Sequence, residues 1–454
     1  MPPIRYPESA VFYRKLTRAY PRIARGEGCY LYDDEGKQYL DASGGAFVVN
    51  VGHGVAEIAD AIAAQAKQVA YVNGTAFTTE PVERMAVELA SHLPEGLDKI
   101  YFLSSGSEAV EAALKLARQY WVERGRPRKH KIIALAPGYH GNTLLALSAG
   151  ARAHYSTYFA DWLVEVRRIP APYAYRCDCG GAADCARCSG EMLERAIRDE
   201  GAETVAAFIA EPVGGSSTGA AVPRPSYFPR VREICDQFDV LFIADEIACG
   251  AGRTGTFTAI EQSGVTPDIM TLGKGIAGGY VPLAAVAAPR RIVDVLARGS
   301  GALLHAQTFS HHAVSCAAGL ATLRVLRERG LVERSAAMGA VLHRQLSTLR
   351  ALPHIGDVRG RGLFAGVEFV EDVETRAPFP RSARFAERFT DAALRAGLNL
   401  WPNVGHADGT NGDLVMIAPP FIITEAQIGE ILARFTEALE ETVATLTSEA
   451  VHGH

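Results

Sequence analysis

Between about residues 55 and 290 the chain alternates short apolar runs with helical stretches, and this alternation restricts its fold more than any other feature. Each run has four to six residues, and the runs cover 100–103, 132–135, 205–210, 240–244, 269–272 and 283–288. One intervening stretch, 108–121, repeats its apolar residues with helical spacing. Short buried strands separated by helices are typical of a largely parallel sheet covered on both faces. The sequence therefore predicts an α/β fold.

Two further regions flank this α/β part. Near the N-terminus, 29–32 and 38–41 are joined by the turn Asp33-Asp34-Glu35-Gly36, which indicates an antiparallel hairpin. After residue 312, helical patterns over 313–329 and 332–349 precede mixed segments and a last helix over 425–446, with Thr424 as its N-cap. We expect an N-terminal segment, 1–54, that joins a smaller α+β domain, 313–454, beside a large domain, 55–312.

Composition and charge exclude several classes of protein. The 48% apolar and 21% charged residues are ordinary for a globular chain of 454 residues, and the net charge of -5 offers no basic field for nucleic acid. The longest apolar candidate, 276–289, is short and contains Gly278, Gly279 and Pro282, so we expect no membrane span. The first residues lack the apolar core of a secretory signal, which predicts a cytoplasmic protein whose eight cysteines are mostly free thiols.

Lysine usage gives the first indication of chemistry. The chain has eight lysines, and Lys274 is the only one after residue 131. It follows an apolar run and has Gly273 and Gly275 beside it, so another molecule can approach the backbone closely. A desolvated amine has a lowered pKa and is a competent nucleophile toward an aldehyde. The alternative is an ordinary solvated loop lysine.

Three other apolar runs are followed by residues that could bind a ligand or take part in a reaction. Asp245 and Glu246 end one run, where open α/β sheets bind ligands, although Asp245 could simply cap a turn. Ser105 and Glu108 have capping-box spacing at a strand-to-helix turn, which is an anion cradle or only a capped helix. Tyr139 follows a third run and could stack on a planar ring. Taken together, an amine, an acid, an anion cradle and an aromatic face fit pyridoxal 5'-phosphate.

On these residues the chain resembles the class III (omega) aminotransferases, which are fold-type-I α/β enzymes with a mostly parallel sheet in the large domain and a smaller α+β domain. The matching motifs run in order through nearly the whole chain: Gly26-Glu27-Gly28-Cys29-Tyr30, Asp41, Gly52-His53, Ser105-Gly106-Ser107, Glu211-Pro212-Val213, Asp245-Glu246-Ile247, Gly252-Arg253-Thr254-Gly255, Lys274, Thr308-Phe309-Ser310 and Val358-Arg359-Gly360-Arg361-Gly362-Leu363.

The resemblance implies roles for individual residues. Lys274 would bind the cofactor covalently and then transfer a proton, and Asp245 would keep the pyridine nitrogen protonated. The other implied cofactor contacts are Ser105, Gly106 and Ser107 at the phosphate, Tyr139 and Ile247 on the ring faces, His140 and Glu211 nearby, and Thr308, which would reach across a homodimer with shared active sites. Glu211 could instead be an ordinary strand-end carboxylate, and Arg253 is interpreted as structural.

Departures from the family pattern concern the substrate. Met416 stands where members that bind glutamate or 2-oxoglutarate carry an arginine, and 405–413 lacks the mobile arginine of amine:pyruvate members. Recognition of a carboxylate is therefore in doubt. Phe77, Tyr20 and Trp401 either line the substrate pocket or belong to the core. The stretch Ser310-His311-His312-Ala313 stands where the family usually has Gly-His-Pro, and His311 and His312 are interpreted as structural.

The implied activity is transfer of an amino group from a primary amine or omega-amino acid to a keto acid such as pyruvate. An aminomutase or a decarboxylating transaminase on the same fold is the alternative. A non-catalytic assembly or metal-binding protein is disfavoured because Lys274, Asp245 and Ser107 are all present.

Four cysteines are clustered as Cys177-Asp178-Cys179 and Cys185-Ala186-Arg187-Cys188. This spacing suits a tetrahedral zinc site on an insertion. The alternative is four free thiols in a polar loop, which the sequence interpretation favours because relatives carry scattered cysteines in this zone, and no metal ligand is assigned.

Overall fold

The computed structural model of this chain describes residues 4–179 and 185–452. Its strands are β1 (Ile23–Glu27), β2 (Tyr30–Asp33), β3 (Gln38–Asp41), β4 (Lys99–Leu103), β5 (Lys131–Ala136), β6 (Arg167–Pro170), β7 (Val205–Ala210), β8 (Leu241–Asp245), β9 (Ile269–Leu272), β10 (Ala284–Ala288), β11 (Ile355–Arg361), β12 (Phe364–Phe369), β13 (Leu398–Asn399), β14 (Trp401–Val404) and β15 (Asp413–Ile417).

Its helices are α1 (Gly44–Phe47), α2 (Ala56–Gln68), α3 (Glu80–Ser91), α4 (Gly106–Glu123), α5 (Leu144–Ala149), α6 (Ala153–Ser156), α7 (Ala186–Ser189), α8 (Glu191–Glu200), α9 (Tyr227–Phe238), α10 (Arg290–Arg298), α11 (Ala313–Glu328), α12 (Leu331–Leu346), α13 (Phe385–Arg395) and α14 (Glu425–His452). In the described part of the chain, no helix has the length and apolar character needed to cross a bilayer.

The central sheet has the strand order β4-β10-β9-β8-β7-β5-β6. Its strands from β9 to β6 pair in parallel, whereas β10 is antiparallel to both β9 and β4. Each of the six predicted apolar runs forms a strand of this sheet, so the prediction of a largely parallel α/β sheet is confirmed. Strand β6 was not predicted because it is an edge strand that begins with exposed Arg167 and Arg168 and has no apolar run.

The strand directions bring the predicted site residues to one edge of this sheet. Strands β7, β8 and β9 are buried along their whole length, which explains their continuous apolar sequences. Because β4 is antiparallel to β10 and β10 is antiparallel to β9, β4 runs in the same direction as the parallel strands. The carboxyl ends of β4, β5, β7, β8 and β9 therefore lie together, at the edge where open α/β sheets bind ligands.

Two smaller sheets complete the fold. The predicted hairpin is confirmed, since β2 and β3 pair antiparallel, and β3 also pairs in parallel with β13 near the C-terminus. The other sheet, β11-β12-β15-β14, is antiparallel. The pairing of β3 with β13 supports our proposal that residues 1–54 join a C-terminal domain of 313–454, beside a large domain of 55–312.

The helices after residue 312 follow the sequence prediction closely. Helices α11 and α12 occupy the two predicted stretches, and α14 begins at the predicted residue. Thr424 caps α14 as expected, because its hydroxyl accepts a hydrogen bond from the Gln427 N–H (3.3 Å) while the Gln427 side chain accepts one from the Thr424 N–H (3.0 Å).

Candidate active site

The turn between β4 and α4 forms an anion cradle. Ser105 is the N-cap residue of α4, and its hydroxyl accepts a hydrogen bond from the Glu108 N–H (3.3 Å). The Glu108 carboxylate accepts in turn from the Ser104 N–H (3.0 Å), one residue before the position that the capping-box spacing predicts. The N–H groups of Gly106 and Ser107 belong to the first helical turn, which has no intrahelical acceptors. They are suited to bind a phosphate, together with the helix dipole.

Two glycines allow neighbouring loops to close over this cradle. A Cβ atom on Gly106 would lie 2.9 Å from Ile247 Cδ1, so the side chain of Ile247 packs directly against the cradle. Gly141 has φ +139°, and a Cβ atom there would lie 2.6 Å from Ser107 Oγ. The Ser107 hydroxyl also accepts a hydrogen bond from the Asn142 N–H (3.0 Å). The loop that carries Tyr139 and His140 is therefore attached to the cradle.

Asp245 lies at the end of β8 and is held in place by three donors. Its Oδ2 is 2.7 Å from His140 Nδ1, and its Oδ1 accepts from the Ile247 N–H and the Thr271 hydroxyl, each at 3.1 Å. Thr271 stands opposite Asp245 in the parallel register of β8 and β9. Burial lowers the pKa of His140, but the adjacent Asp245 carboxylate outweighs burial and raises this pKa overall. The 2.7 Å contact thus favours the charged form of His140 and fixes the orientation of both side chains.

Lys274 follows β9 and opens a 3₁₀ turn, Lys274–Ala277, with the unusual φ of +48°. Burial lowers the pKa of its amine from 10.5 to about 8, although the carboxylates of Glu211 and Asp245 act in the opposite direction. The Nζ atom lies 4.7 Å from the centroid of the buried Phe47 ring. Lys274 is thus a partly desolvated amine whose neutral form is accessible near neutral pH.

Glu211 connects the end of β7 to the loop that follows β5. Its Oε1 accepts from the Gly215 N–H (2.9 Å), and its Oε2 accepts from the Tyr139 N–H (3.3 Å). Burial raises the pKa of Glu211, and the positive charge of His140 moderates that rise. Glu211 therefore holds the Tyr139 backbone in place, and its charge also acts on the pKa of Lys274.

Glu246, the second acid of the Asp245-Glu246 pair, is directed to a different place. Its carboxylate accepts from the N–H groups of Ala259 (2.9 Å) and Ile260 (2.7 Å), and burial raises its pKa to about 7. Arg253 is likewise buried among backbone carbonyls, and its Nη1 donates to those of Leu363 and Pro419. Both side chains hold loops together.

The structure adds one cation that the sequence patterns did not reveal. The guanidinium of Arg152 lies 4.7 Å from the centroid of the Tyr139 ring, and it donates to the hydroxyls of Ser216 and Ser217 (2.5 and 2.8 Å). No carboxylate in 4–179 or 185–452 lies within ion-pairing distance of it. Burial lowers the pKa of Arg152, but an arginine stays charged. No motif surrounds this residue, so only the three-dimensional arrangement identifies it.

The remaining predicted residues lie outside this cluster or at its border. Thr308 is exposed in a turn before α11, and in the described ranges its side chain makes no hydrogen bond. Phe77 is 67% exposed, and Tyr20 stacks on Tyr13 with 4.5 Å between ring centroids. The Trp401 ring contacts the Phe47 ring edge-on, with 5.8 Å between centroids. Phe47 in turn contacts the Lys274 amine, so Phe47 lies between Trp401 and Lys274.

Met416, His311 and His312 make packing or helix-capping contacts with neighbouring residues. Met416 is fully buried in β15, where it belongs to one apolar cluster with Phe47 and Trp401. The His311 ring contacts Tyr101 edge-on at 4.8 Å. His312 is the N-cap residue of α11 and accepts from the Ser315 N–H (3.4 Å).

A mostly parallel sheet with a lysine, a buried acid and an anion cradle at one edge defines a pyridoxal-phosphate transferase of fold type I. The family model described as "Aminotransferase class-III" matches residues 13–439, and the chain belongs to this family. The predictions of an α/β fold-type-I transferase, of a class III aminotransferase and of its cofactor are thereby confirmed.

Known relatives cover nearly the whole chain. An uncharacterised aminotransferase of Schizosaccharomyces pombe is 39% identical over 441 residues, which are 96% of both chains. The putrescine–pyruvate aminotransferase of Pseudomonas aeruginosa is 35% identical over 444 residues, 96% of this chain and 94% of that protein. A crystal structure of an amine transaminase from an uncultivated Pseudomonas species, in its PLP-bound form, has a TM-score of 0.87 at 34% identity and covers 96% and 97% of the two chains.

The residues of this chain fit the family cofactor, pyridoxal 5'-phosphate. The first turn of α4 offers free N–H donors for a phosphate, and any side chain at Gly106 would collide with Ile247 at that place. Asp245 is a buried carboxylate suited to a pyridinium nitrogen, and Lys274 is a half-buried, partly desolvated amine suited to an aldehyde. Asp245 ends β8 and Lys274 opens the turn after β9, so both groups lie at the same sheet edge as the cradle.

Proposed function

We propose that this aminotransferase moves an amino group from a primary amine or omega-amino acid to a keto acid such as pyruvate. The observation that carries the proposal is Arg152, a cation beside Tyr139 with hydroxyl partners but no carboxylate partner among the described residues. Such a guanidinium is suited to hold the carboxylate of a keto acid. The relative named putrescine–pyruvate aminotransferase supports the same pair of substrate classes.

The proposed mechanism assigns each step to a residue of this chain. Ser105, Gly106 and Ser107 would bind the cofactor phosphate, Tyr139 and Ile247 would lie against its ring, and Asp245 would favour a proton on the ring nitrogen. When bound, pyridoxal phosphate supplies an electron sink for the substrate carbon. Lys274 would hold the cofactor covalently through its amine, and the same amine, once free, would accept a proton from the substrate carbon and return it to the other end of the transfer.

His140 and Glu211 act as positioning residues in this mechanism. His140 fixes the orientation of the Asp245 carboxylate through the 2.7 Å contact, and that carboxylate raises the pKa of His140. Glu211 holds the Tyr139 backbone through its 3.3 Å hydrogen bond. Phe47, fully enclosed beside the Lys274 amine, excludes water from one side of it.

The pKa of Lys274 predicts how cofactor attachment depends on pH. Only the neutral amine attacks an aldehyde, so the rate at which cofactor-free protein binds pyridoxal phosphate covalently is expected to rise about tenfold per pH unit and level off near pH 8. The absorbance of the linked cofactor measures this rate. A lysine amide of ordinary pKa, measured in parallel, corrects for titration of the cofactor itself. A rate that keeps rising through pH 10 would contradict a lowered pKa.

Replacing Arg152 with glutamine tests the proposed acceptor site. A charge-assisted hydrogen bond contributes about 1.5–3 kcal/mol, so the KM for pyruvate is expected to rise about 10- to 100-fold. The half-reaction with a primary amine that has no carboxylate should keep most of its rate. The two half-reactions are followed separately by the change in cofactor absorbance.

Arg168 offers a matched control for this variant. It is also an arginine near α5, but its guanidinium donates to the backbone carbonyls of Ser148 (2.8 Å) and Gly150 (3.2 Å). Arg168→Gln should therefore leave the KM for pyruvate unchanged. Equal losses in both half-reactions of Arg152→Gln would show a general role in folding. Release of carbon dioxide, or an isomerised product without alanine, would replace the proposal with a decarboxylating or mutase reaction.

We propose further that the enzyme is a homodimer in which Thr308 reaches the phosphate of the partner subunit. Thr308 is exposed, and large apolar side chains near it in sequence and space are exposed as well: Leu304 (66%), Phe309 (56%) and Tyr71 (44%), the last two in edge-on contact at 6.0 Å. A surface of this kind is typical of a protein interface. Sedimentation should give twice the chain mass, and Thr308→Ala should weaken cofactor binding; a monomeric active enzyme would contradict the proposal.

A further inference from the structure

Four cysteine sulfurs outside the active site converge on one point. The Sγ atoms of Cys177, Cys179, Cys185 and Cys188 all lie within 4.8 Å of one another. Cys177 is 3.6 Å from Cys185, Cys179 is 3.8 Å from Cys188, and Cys177 is 3.0 Å from Cys179. The sequence interpretation favours four free thiols in a polar loop, because relatives carry scattered cysteines in this zone.

Two of these three distances match the geometry of a tetrahedral zinc site. Zinc binds thiolates at about 2.3 Å with tetrahedral angles, so the sulfurs of a four-cysteine site are about 3.8 Å apart. Two of the measured separations lie within about 0.2 Å of that value, and the third is shorter. The soft thiolate set selects zinc over the hard cations magnesium and calcium.

The local backbone holds each pair in a turn. The Cys179 N–H donates to the Cys177 sulfur and so fixes the turn between these two residues. The Cys188 N–H donates to the carbonyl of Cys185 (2.9 Å), so both sulfurs of the second pair lie on one side of α7. The four other cysteines, Cys29, Cys235, Cys249 and Cys316, are each buried in the core and do not join this cluster.

We propose that Cys177, Cys179, Cys185 and Cys188 bind one structural zinc ion. All four ligands come from the chain, and a closed four-coordinate site leaves no position for a substrate. Binding releases one proton from each thiol that is protonated beforehand, and the resulting zinc tetrathiolate carries a charge of about -2. The guanidinium of Arg187, between the two ligands of α7, donates to the carbonyls of Ala171 (2.6 Å) and Arg176 (3.0 Å) and brings positive charge into the same segment.

The position of the cluster indicates what the ion stabilises. Immediately before Cys177, Arg176 donates to the Glu368 carboxylate of β12 (2.7 Å), and the Tyr173 hydroxyl bonds the same carboxylate. Glu368 is fully buried and also contacts Arg359 and His406. Zinc would thus fix the segment that leads from β6 of the central sheet to the buried charges of the β11-β12-β15-β14 sheet.

Metal analysis of the full chain, purified without chelator, is the first test. We expect about one zinc per chain, and X-ray absorption should show sulfur neighbours alone at about 2.3 Å. After removal of zinc, cobalt(II) should restore the site and give the visible absorption of a tetrahedral thiolate complex, at wavelengths beyond the cofactor band. Oxygen or nitrogen neighbours, or less than about a tenth of an equivalent with no cobalt uptake, would overturn the proposal.

A variant pair provides the second test. Cys185→Ser/Cys188→Ser should lower bound zinc from about one equivalent to less than about a tenth and reduce Tm, while Cys316→Ala, which removes a thiol far from the cluster, should retain the zinc. Zinc retained by the double variant would overturn the site. If the double variant does not fold, the absorption spectra of the unaltered protein still decide, and a thiol count that finds two disulfides in place of zinc would also overturn it.

Discussion

Replacing Lys274 with alanine is expected to abolish transamination, with a rate at least about 10⁴-fold lower than that of the unaltered enzyme. The variant loses the covalent attachment of the cofactor and the amine that moves the proton, and proton transfer by a positioned group alone contributes about 10²- to 10⁴-fold. Single-turnover absorbance measurements with a saturating amine give the rate. Exposed Lys115 in α4 offers a control, since Lys115→Ala should be fully active.

Borohydride reduction of the unaltered holoenzyme tests the same residue without any variant. We expect the reduced cofactor on the peptide that contains Lys274 and on no other. Lys129 is a stringent internal control, because burial also lowers its pKa to about 8, yet its amine donates to the carbonyls of Ala202 (3.0 Å), Val205 (3.0 Å) and Asp239 (2.6 Å). Label on Lys129 would mean that a low pKa alone, and not the site, directs attachment.

Replacing Asp245 with asparagine is expected to lower the rate by about 10²- to 10³-fold or more. The loss of one partner from a buried ion pair costs about 3–5 kcal/mol, which corresponds to this range. Cofactor should still attach to Lys274, because the cradle and the amine remain. The expected pattern is therefore a fully loaded enzyme with a slow proton-transfer step, and a solvent-exchange assay of the substrate proton measures that step directly.

Glu246 gives a matched control one residue away. Both acids are almost completely buried, but Glu246 accepts from the backbone of Ala259 and Ile260 and its pKa of about 7 leaves it partly protonated at neutral pH. Glu246→Gln should change thermal stability more than the rate of the chemical step. Comparable losses of rate in both variants would show that Asp245 acts through packing and not through the ring nitrogen.

Most of the central sheet could be predicted from the sequence because buried parallel strands are uniformly apolar. Strands β7 and β9 have the predicted bounds, β5 is one residue longer than predicted at each end, and β10 begins one residue later than predicted. Strand β6 could not be predicted, because an edge strand beside solvent can expose charged side chains such as Arg167 and Arg168 and therefore needs no apolar run. The antiparallel direction of β10 also needed the structure, since an apolar run does not encode strand direction.

The candidate site was predictable where chemistry and local pattern coincide. Lys274, Asp245 and Ser105 each follow an apolar run, so their convergence at one sheet edge follows from strand order. Arg152 had no such signal, because its role depends on contacts with Tyr139 and with serines 64 and 65 residues away. The two cysteine pairs likewise come together only through the path of the chain between them, and that path has no periodic sequence pattern from which it could be predicted.

The left-handed backbone at Lys274 has a consequence for the evolution of this enzyme. A residue with a Cβ atom loses about 1–2 kcal/mol in that conformation, and every folded molecule carries this cost whether or not it meets a substrate. Selection for thermal robustness alone would favour glycine at position 274. Lysine at this position therefore trades some resistance to heat for an amine at the site of reaction.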